Sequence, residues 1–404
     1  MAFLLTIEIF FVLCYNKPYI SSEERMIDHD SIVSVRKCDT YDRETVLSLL
    51  RQQLLEIGIT SNTFKDKKVA IKPNLVRRCD EAKGATTHSA FSYAVATIAL
   101  EMGAKQVIFA ESPGGIFTSS TIKSAYSVAH LDKVAKETGA ILNFDTDAVT
   151  VEAPSGVQSK VFHILKSIND ADVIINLAKL KTHGLTLMSA AVKNYFGVIP
   201  GVEKFEMHAR FPDQNDFSNM IVDLCYMLCQ SKTTINIVDG IVGMEGNGPT
   251  NGTPKKMGVV IASQNPFATD VVCSKILGVY PHVKTVVISQ ERGYAPKDEI
   301  ITAGESVDAC IVKNLVLPDG LDKIHLLSDE KLLKIFKPKP VVNRSVCKKC
   351  GECARSCPMH TISVGKDRKI KINTKNCIRC FCCQELCPFA AIKIKQNPIF
   401  FFIK

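Results

Sequence analysis

Between residues 31 and 277, short apolar runs alternate with longer stretches of helical periodicity. The runs at 32–35, 69–71, 106–110, 141–144, 171–176, 234–238 and 257–262 predict buried strands. Asp42 is placed to cap a helix whose apolar positions Val46, Leu49, Leu50, Leu54 and Ile57 recur at helical spacing. Further helices are predicted over 89–102 and 125–137, each stopped by a following glycine, then near 186–196, over 215–229 and over 267–277. Continuous apolar strands interleaved with amphipathic helices define an α/β fold, a mostly parallel sheet with helices on both faces.

In such sheets ligands bind beyond the carboxyl ends of the strands, so the residues there carry the search for chemistry. Those ends read Lys72-Pro-Asn74, Glu111-Ser-Pro-Gly-Gly115, Lys179-Leu-Lys181-Thr-His183 and Asp239-Gly-Ile-Val-Gly-Met-Glu245-Gly-Asn-Gly248. Lys193-Asn194 opens a further polar segment. Lys179, Lys181 and His183 fall two residues apart, so extended chain turns all three to one side. With Lys193 they form the candidate catalytic set. Clustered lysines suit a carboxylate or phosphate, and His183 can move a proton near neutral pH. Lys72, Asn74, Glu111, Asn194, Asp239 and Glu245 are the candidate substrate contacts. Two bland alternatives stand beside these roles: His183 as a structural hydrogen-bond partner, and Asp239 as the cap of its glycine loop. No G-x-x-x-x-G-K-[ST] occurs, and Gly246-Asn-Gly248 does not complete a dinucleotide fingerprint.

Past Lys337-Pro-Lys-Pro340 the composition changes abruptly, which marks 328–340 as a linker. Cys347-Lys-Lys-Cys350-Gly-Glu-Cys353-Ala-Arg-Ser-Cys357-Pro recurs 30 residues later as Cys377-Ile-Arg-Cys380-Phe-Cys-Cys383-Gln-Glu-Leu-Cys387-Pro. Both copies read C-x2-C-x2-C-x3-C-P. In this spacing three cysteines wrap one cluster and the fourth points at the other. Cys347, Cys350, Cys353 and Cys387 are therefore the expected ligands of one [4Fe–4S] cluster, and Cys377, Cys380, Cys383 and Cys357 those of a second. Zinc sites and disulfide frameworks do not call for a doubled run of four cysteines ending in proline. Cys382 makes an additional C-x-C-C and is expected beside the second cluster.

The formal net charge is +9, and it is not spread evenly. Residues 341–404 hold 13 lysines and arginines against 3 acids, leaving 37 against 38 in the rest of the chain. Clusters carrying about −2 each when oxidised account for this basicity better than nucleic acid does. A nucleic-acid partner is not expected. The cysteines outside the motifs (Cys14, Cys38, Cys79, Cys225, Cys229, Cys273, Cys310) show no pair spacing, which fits a reducing, cytoplasmic compartment. Residues 1–30 form an apolar N-terminal extension. It has no leading basic residue, is broken by Glu8 and lacks a small-x-small site, so neither export nor a transmembrane span is expected.

The C-terminal segment, over about 341–396, resembles bacterial two-cluster ferredoxins. Lys72-Pro-Asn74, Lys179-x-Lys181-Thr-His183, Ala191-Val-Lys193-Asn194-x-x-Gly197, His208 and Asp239-Gly-x-x-Gly-Met-Glu-Gly-Asn-Gly-Pro249 together resemble the domain of unknown function family 362, over about 31–320. That resemblance implies an α/β domain, often joined to a ferredoxin-like module, and no settled reaction. The expected organisation is an extension over 1–30, an α/β domain over 31–327, a linker over 328–340 and a small α+β two-cluster ferredoxin-like domain over 341–404. The expected function is iron–sulfur electron transfer between a redox partner protein and a small anionic substrate on the α/β domain. A non-catalytic carrier or docking protein, and a non-redox enzyme with structural or oxygen-sensing clusters, are the alternatives.

Overall fold

The structure is a computed structural model that describes residues 32–297, 300–319 and 338–395. The strands of the α/β domain are β1 (Val33–Lys37), β2 (Lys68–Lys72), β3 (Gln106–Phe109), β4 (Ile141–Leu142), β5 (Ala148–Glu152), β6 (Val161–Leu165), β7 (Val173–His183), β8 (Leu187–Ser189), β9 (Thr233–Glu245), β10 (Thr253–Ser263) and β11 (Thr302–Gly304). Nine of them form one sheet in the order β11-β1-β10-β9-β7-β2-β3-β4, with β8 paired to β7. From β9 to β4 every pairing on this path is parallel. β10 runs antiparallel to both neighbours, which makes the sheet mixed but mostly parallel. β5 and β6 form a separate hairpin.

The apolar runs are buried on both faces because successive side chains point to opposite sides. On β7, Ile174, Ala178 and Leu180 join one core, with helices Gln214–Ser231, Pro266–Ile276 and Lys284–Glu291. Val173, Ile175 and Leu177 join the other, with helices Arg43–Glu56, Ser89–Glu101, Ser119–Val128 and Leu131–Thr138. The caps follow local chemistry. The Asp42 carboxylate accepts from the Thr45 amide as its position predicted, and Asn265 caps the helix that opens with Pro266.

Several elements depart from the periodicity reading. The single helix expected over 125–137 is two helices, separated at His130, whose φ is 57°. A reciprocal Thr118–Thr121 capping box starts the first of them earlier. The segments 179–183 and 239–245, read as strand-end loops, continue β7 and β9. The glycines of β9 are contact points between strands: a β-carbon at Gly243 would overlap the Leu180 carbonyl. Helices Glu203–Arg210 and Lys284–Glu291 were not foreseen at all. Among the described residues no helix is long and apolar enough to cross a membrane.

The C-terminal module pairs β12 (Lys339–Val342) with β15 (Ile392–Lys395), and β13 (Ile362–Val364) with β14 (Ile370–Ile372). Lys339 and Pro340, expected in the linker, already belong to a strand. The rest of that expected linker up to 337, and the extension over 1–30, lie outside the described residues. Each cysteine motif contributes one short helix, Glu352–Arg355 and Cys382–Glu385. Cys353, Cys357, Cys383 and Cys387 are buried together with Ile362, Ile370 and Ile392.

Candidate functional site

The two cysteine motifs repeat in backbone geometry as well as in sequence. Lys349 and Arg379 have φ of 58° and 59°, and His360 and Ala390 have 48° and 49°, in each case 30 residues apart. These left-handed turns aim main-chain amides at sulfur. Thr361 N donates to Cys357 Sγ at 3.3 Å and Ala391 N to Cys387 Sγ at 3.2 Å, again 30 residues apart, while Arg379 N donates to Cys377 Sγ at 3.4 Å. Amide donors of this kind stabilise thiolate ligands and tune a cluster. Cys357, Cys377, Cys380 and Cys383 line one cavity of about 310 Å³. Cys353 in turn has Cys387, Cys350 and Cys347 as its electrostatic neighbours. Each group joins three cysteines of one motif to the fourth of the other. This donor set fits iron–sulfur ligation.

A second cavity, about 650 Å³ and open to solvent, lies where the α/β domain meets the module. Lys72 from the end of β2, Glu111 beyond β3, His183 from β7, Lys193 and Asn194 from helix Ala191–Asn194, and Lys204 and His208 from helix Glu203–Arg210 line its α/β side. Cys382, Glu385 and Leu386 line the module side. The module is held there by main-chain acceptors. Thr250 Oγ1 donates to Glu385 O at 2.6 Å, Asn251 Nδ2 donates to Gln384 O, and Gln384 Nε2 donates to Asn247 O at 3.1 Å.

Lys72 Nζ donates to Glu111 Oε2 at 2.5 Å and to Asn194 Oδ1 at 3.2 Å, with both charged side chains buried. Burial pushes Lys72 down and Glu111 up, while their mutual attraction opposes both shifts. Gly197 follows from this pair, since a β-carbon there would run into the Glu111 carboxylate and the Lys72 ammonium. An amide chain fixes Asn194: its Nδ2 donates to Asn176 Oδ1, and Asn176 Nδ2 donates to Asn236 Oδ1. Asp270 accepts from the Ala191 and Val192 amides and so orients the short helix carrying Lys193.

Lys193 is the exception in this paired environment. Its ammonium lies 5.2 Å over the Phe196 ring and 5.8 Å over Phe217, with no acid within ion-pair distance among the described residues. Lys204 donates to the carbonyl and the hydroxyl of Ser112, and burial lowers its pKa to about 7. His183 Nδ1 accepts from the Leu185 amide at 3.0 Å and the Thr186 amide at 3.3 Å. Its proton is therefore on Nε2, which faces Glu385 Oε1 at 3.5 Å. Burial, then Lys193 and Lys181, hold the His183 pKa well below its ordinary value, so the ring is neutral. His208, stacked on Phe217, is likewise lowered by burial to about 3, and its Nδ1 is buried without a partner.

The structure thus brings Lys72, Asn74, Glu111, His183, Lys193 and Asn194 to one cavity. It does not bring Lys179, Lys181, Asp239 or Glu245 there. Lys179 Nζ is paired with Asp239 Oδ2 at 2.6 Å and receives Tyr41 as a further partner at 3.0 Å. Asp239 also accepts from Tyr41 OH and the His88 amide, so its oxygens are occupied. Lys181 is spent on Asn74 Oδ1 and Ala85 O. Glu245 holds Lys255 and the Val316 amide. The period-2 argument gave the facing of these side chains but not the partners already waiting for them. Lys204 and Glu385 escaped the sequence reading, and His208 entered it only through the family resemblance. Lys204 and His208 sit at i and i+4 on a helix whose weak apolar signal hid it.

Residues 69–275 match a family profile described as Domain of unknown function (DUF362), and residues 339–388 match the 4Fe-4S dicluster domain. A thylakoid-associated protein of Synechocystis is 32% identical over 315 residues, covering 76% of this chain and 93% of the relative. An uncharacterized ferredoxin of Methanocaldococcus jannaschii is 30% identical over 58 residues, 14% of this chain and 94% of its own length. A ferredoxin of Methanothermococcus thermolithotrophicus is 33% identical over 47 residues, 12% of this chain and 78% of its own length. The ferredoxin-type domain gives the chain an iron–sulfur electron-transfer role. The chain belongs to the DUF362 family and carries a C-terminal 4Fe-4S dicluster domain.

Proposed function

We propose that this chain takes electrons from a redox partner protein and delivers them to a small anionic substrate held in the lysine-lined cavity between its two domains. The observation that carries this reading is the shared wall. Cys382, between the cluster cysteines Cys380 and Cys383, lines the same cavity as Lys72, Lys193 and His183. Cys357, Cys377, Cys380 and Cys383 would hold the cluster next to the cavity. Cys347, Cys350, Cys353 and Cys387 would hold the other, reached from solvent at exposed Cys350 between exposed Lys348, Lys349 and Arg344. The bound clusters supply one-electron transfer.

The chain's own residues supply the rest. Lys193 and Lys204 attract the anion, and Lys72, neutralised by Glu111, fixes the Asn194 end of the cavity. His183, neutral, presents its Nε2–H as a hydrogen-bond donor at a defined atom. Phe196, Phe205 and Leu386 exclude water around the bound molecule. A carrier without a substrate site would leave the unpaired Lys193 ammonium in this cavity without a purpose. Thiolate ligands that must stay reduced support a reducing compartment such as the cytoplasm.

Anaerobic purification with iron and sulfide counts, followed by EPR during dithionite titration, tests this reading. About eight irons per chain and two interacting reducible centres are expected. Zinc in place of iron, or centres whose spectra ignore every substitution in the cavity, would overturn it.

A further inference from the structure

We infer that the molecule held in this cavity is a monocarboxylate with a compact apolar body, anchored through its carboxylate on Lys193. The inference rests on the cavity being a substrate site, as proposed above, and goes on to name the ligand's chemistry.

The charge inventory points to one anionic group. Among the described residues three lysines, two acids, two neutral histidines and the Cys382 thiol line the cavity. Glu111 is committed to Lys72 at 2.5 Å. Lys204 donates to Ser112, and burial lowers its pKa to about 7, so it carries only part of a charge at neutral pH. Lys193 has two aromatic faces beside it and no ion pair among the described residues, its charged neighbour Glu385 lying beyond ion-pair distance. A desolvated ammonium without an acceptor is costly, and a ligand anion removes that cost. Three lysines against two acids leave one cation in excess among the described lining residues, which suits a single negative charge.

The donor types separate carboxylate from phosphate. Phosphate sites draw on arginine forks, glycine-rich loops or the amides of a helix N-terminus. Among the described residues the lining contains no arginine, so no planar fork is offered to a phosphate. The remaining walls select the body of the ligand. Val76, Phe196, Phe205, Pro249 and Leu386 are apolar, so a purely polar anion would lose hydration without gaining contacts.

Calorimetric titration of the oxidised, cluster-loaded full chain at pH 7 tests the assignment, with benzoate, 2-butenoate, benzamide and inorganic phosphate as probes. Saturable binding of a carboxylate is expected, about ten-fold tighter than benzamide and without competition from phosphate. Lys193→Met should bring the carboxylate down to the benzamide level, and Lys193→Arg should restore most of the difference. Failure of both carboxylates to bind, tighter binding of phosphate, or an unchanged affinity in Lys193→Met would overturn the inference. No electron moves in these titrations. A failure here with iron and EPR signals intact removes the ligand class alone, whereas a chain without iron removes the redox reading alone.

Discussion

Thr250 Oγ1 and the carbonyl of Glu385 are hydrogen-bonded at 2.6 Å across 135 residues of sequence. That bond, with the neighbouring one from Asn251 to Gln384, makes the iron–sulfur module a wall of the lysine-lined cavity. Thr250→Val with Asn251→Ala leaves two carbonyls short of their donors, at about 1–3 kcal/mol each. Iron content and EPR signals should stay unchanged, while carboxylate affinity falls about ten-fold. Titration of the double variant decides it, and full affinity would show that the wall does not depend on these bonds.

Gly197 is required by its neighbours rather than by a turn. Gly197→Ala should displace the Lys72–Glu111 pair and destabilise the α/β domain by about 1–3 kcal/mol. Urea unfolding followed by circular dichroism gives the figure, and a loss of carboxylate binding should accompany it.

The buried Lys72–Glu111 pair predicts a non-additive pattern. Lys72→Met alone strands a buried carboxylate and should cost about 3–5 kcal/mol. The double change Lys72→Met with Glu111→Gln should cost clearly less than either single change adds up to, because no unpaired charge remains. A double-mutant cycle by urea unfolding measures the difference.

Lys204 titrates near pH 7, among Glu111, Lys72, Lys193 and Glu203. Protonated Lys204 helps to hold an anion, so carboxylate affinity should weaken as pH rises from 6 to 8, and Lys204→Met should flatten that dependence. Stability moves the other way. Between about 7 and 10.5 the unfolded chain keeps a proton on this lysine that the folded chain has lost, so unfolding free energy rises with pH across that window. Lys181, also lowered to about 7 by burial, adds a slope of the same sign.

The crossed cysteine sets predict which signal each substitution disturbs. Cys387→Ala, although it lies in the second motif, should perturb the cluster held by Cys347, Cys350 and Cys353. Cys357→Ala should perturb the one held by Cys377, Cys380 and Cys383. Iron counts and EPR of the two variants distinguish this arrangement from one cluster per motif.

The module was legible in the sequence because its ligand spacing is local and repeated: eight cysteines at fixed offsets leave little freedom. The parallel sheet was legible because strands buried on both faces need continuous apolar runs. The cavity was only half legible. Lys72, Glu111 and His183 sit where strands end, and that rule found them, while Lys193 and Asn194, on helix Ala191–Asn194, stood out as a further polar segment. Lys179 and Asp239 obey the same rule, yet they are paired with each other inside the sheet, a tertiary fact that no spacing reports. Lys204 lies on a helix whose charged sequence conceals its buried face, and Glu385 reaches the cavity only through domain docking.

Because the cavity wall and the cavity floor belong to one polypeptide, dilution does not separate them. Contacts too weak to join two free proteins suffice when the effective concentration is set by the connecting chain. The arrangement is also reciprocal: a ligand that touches Leu386 as well as Lys193 tightens docking by the same factor by which docking tightens the ligand. Filling the cavity would therefore add to the hydrogen bonds that already hold the module against it. A substrate of the proposed kind would be the clasp that keeps its own source of electrons in place.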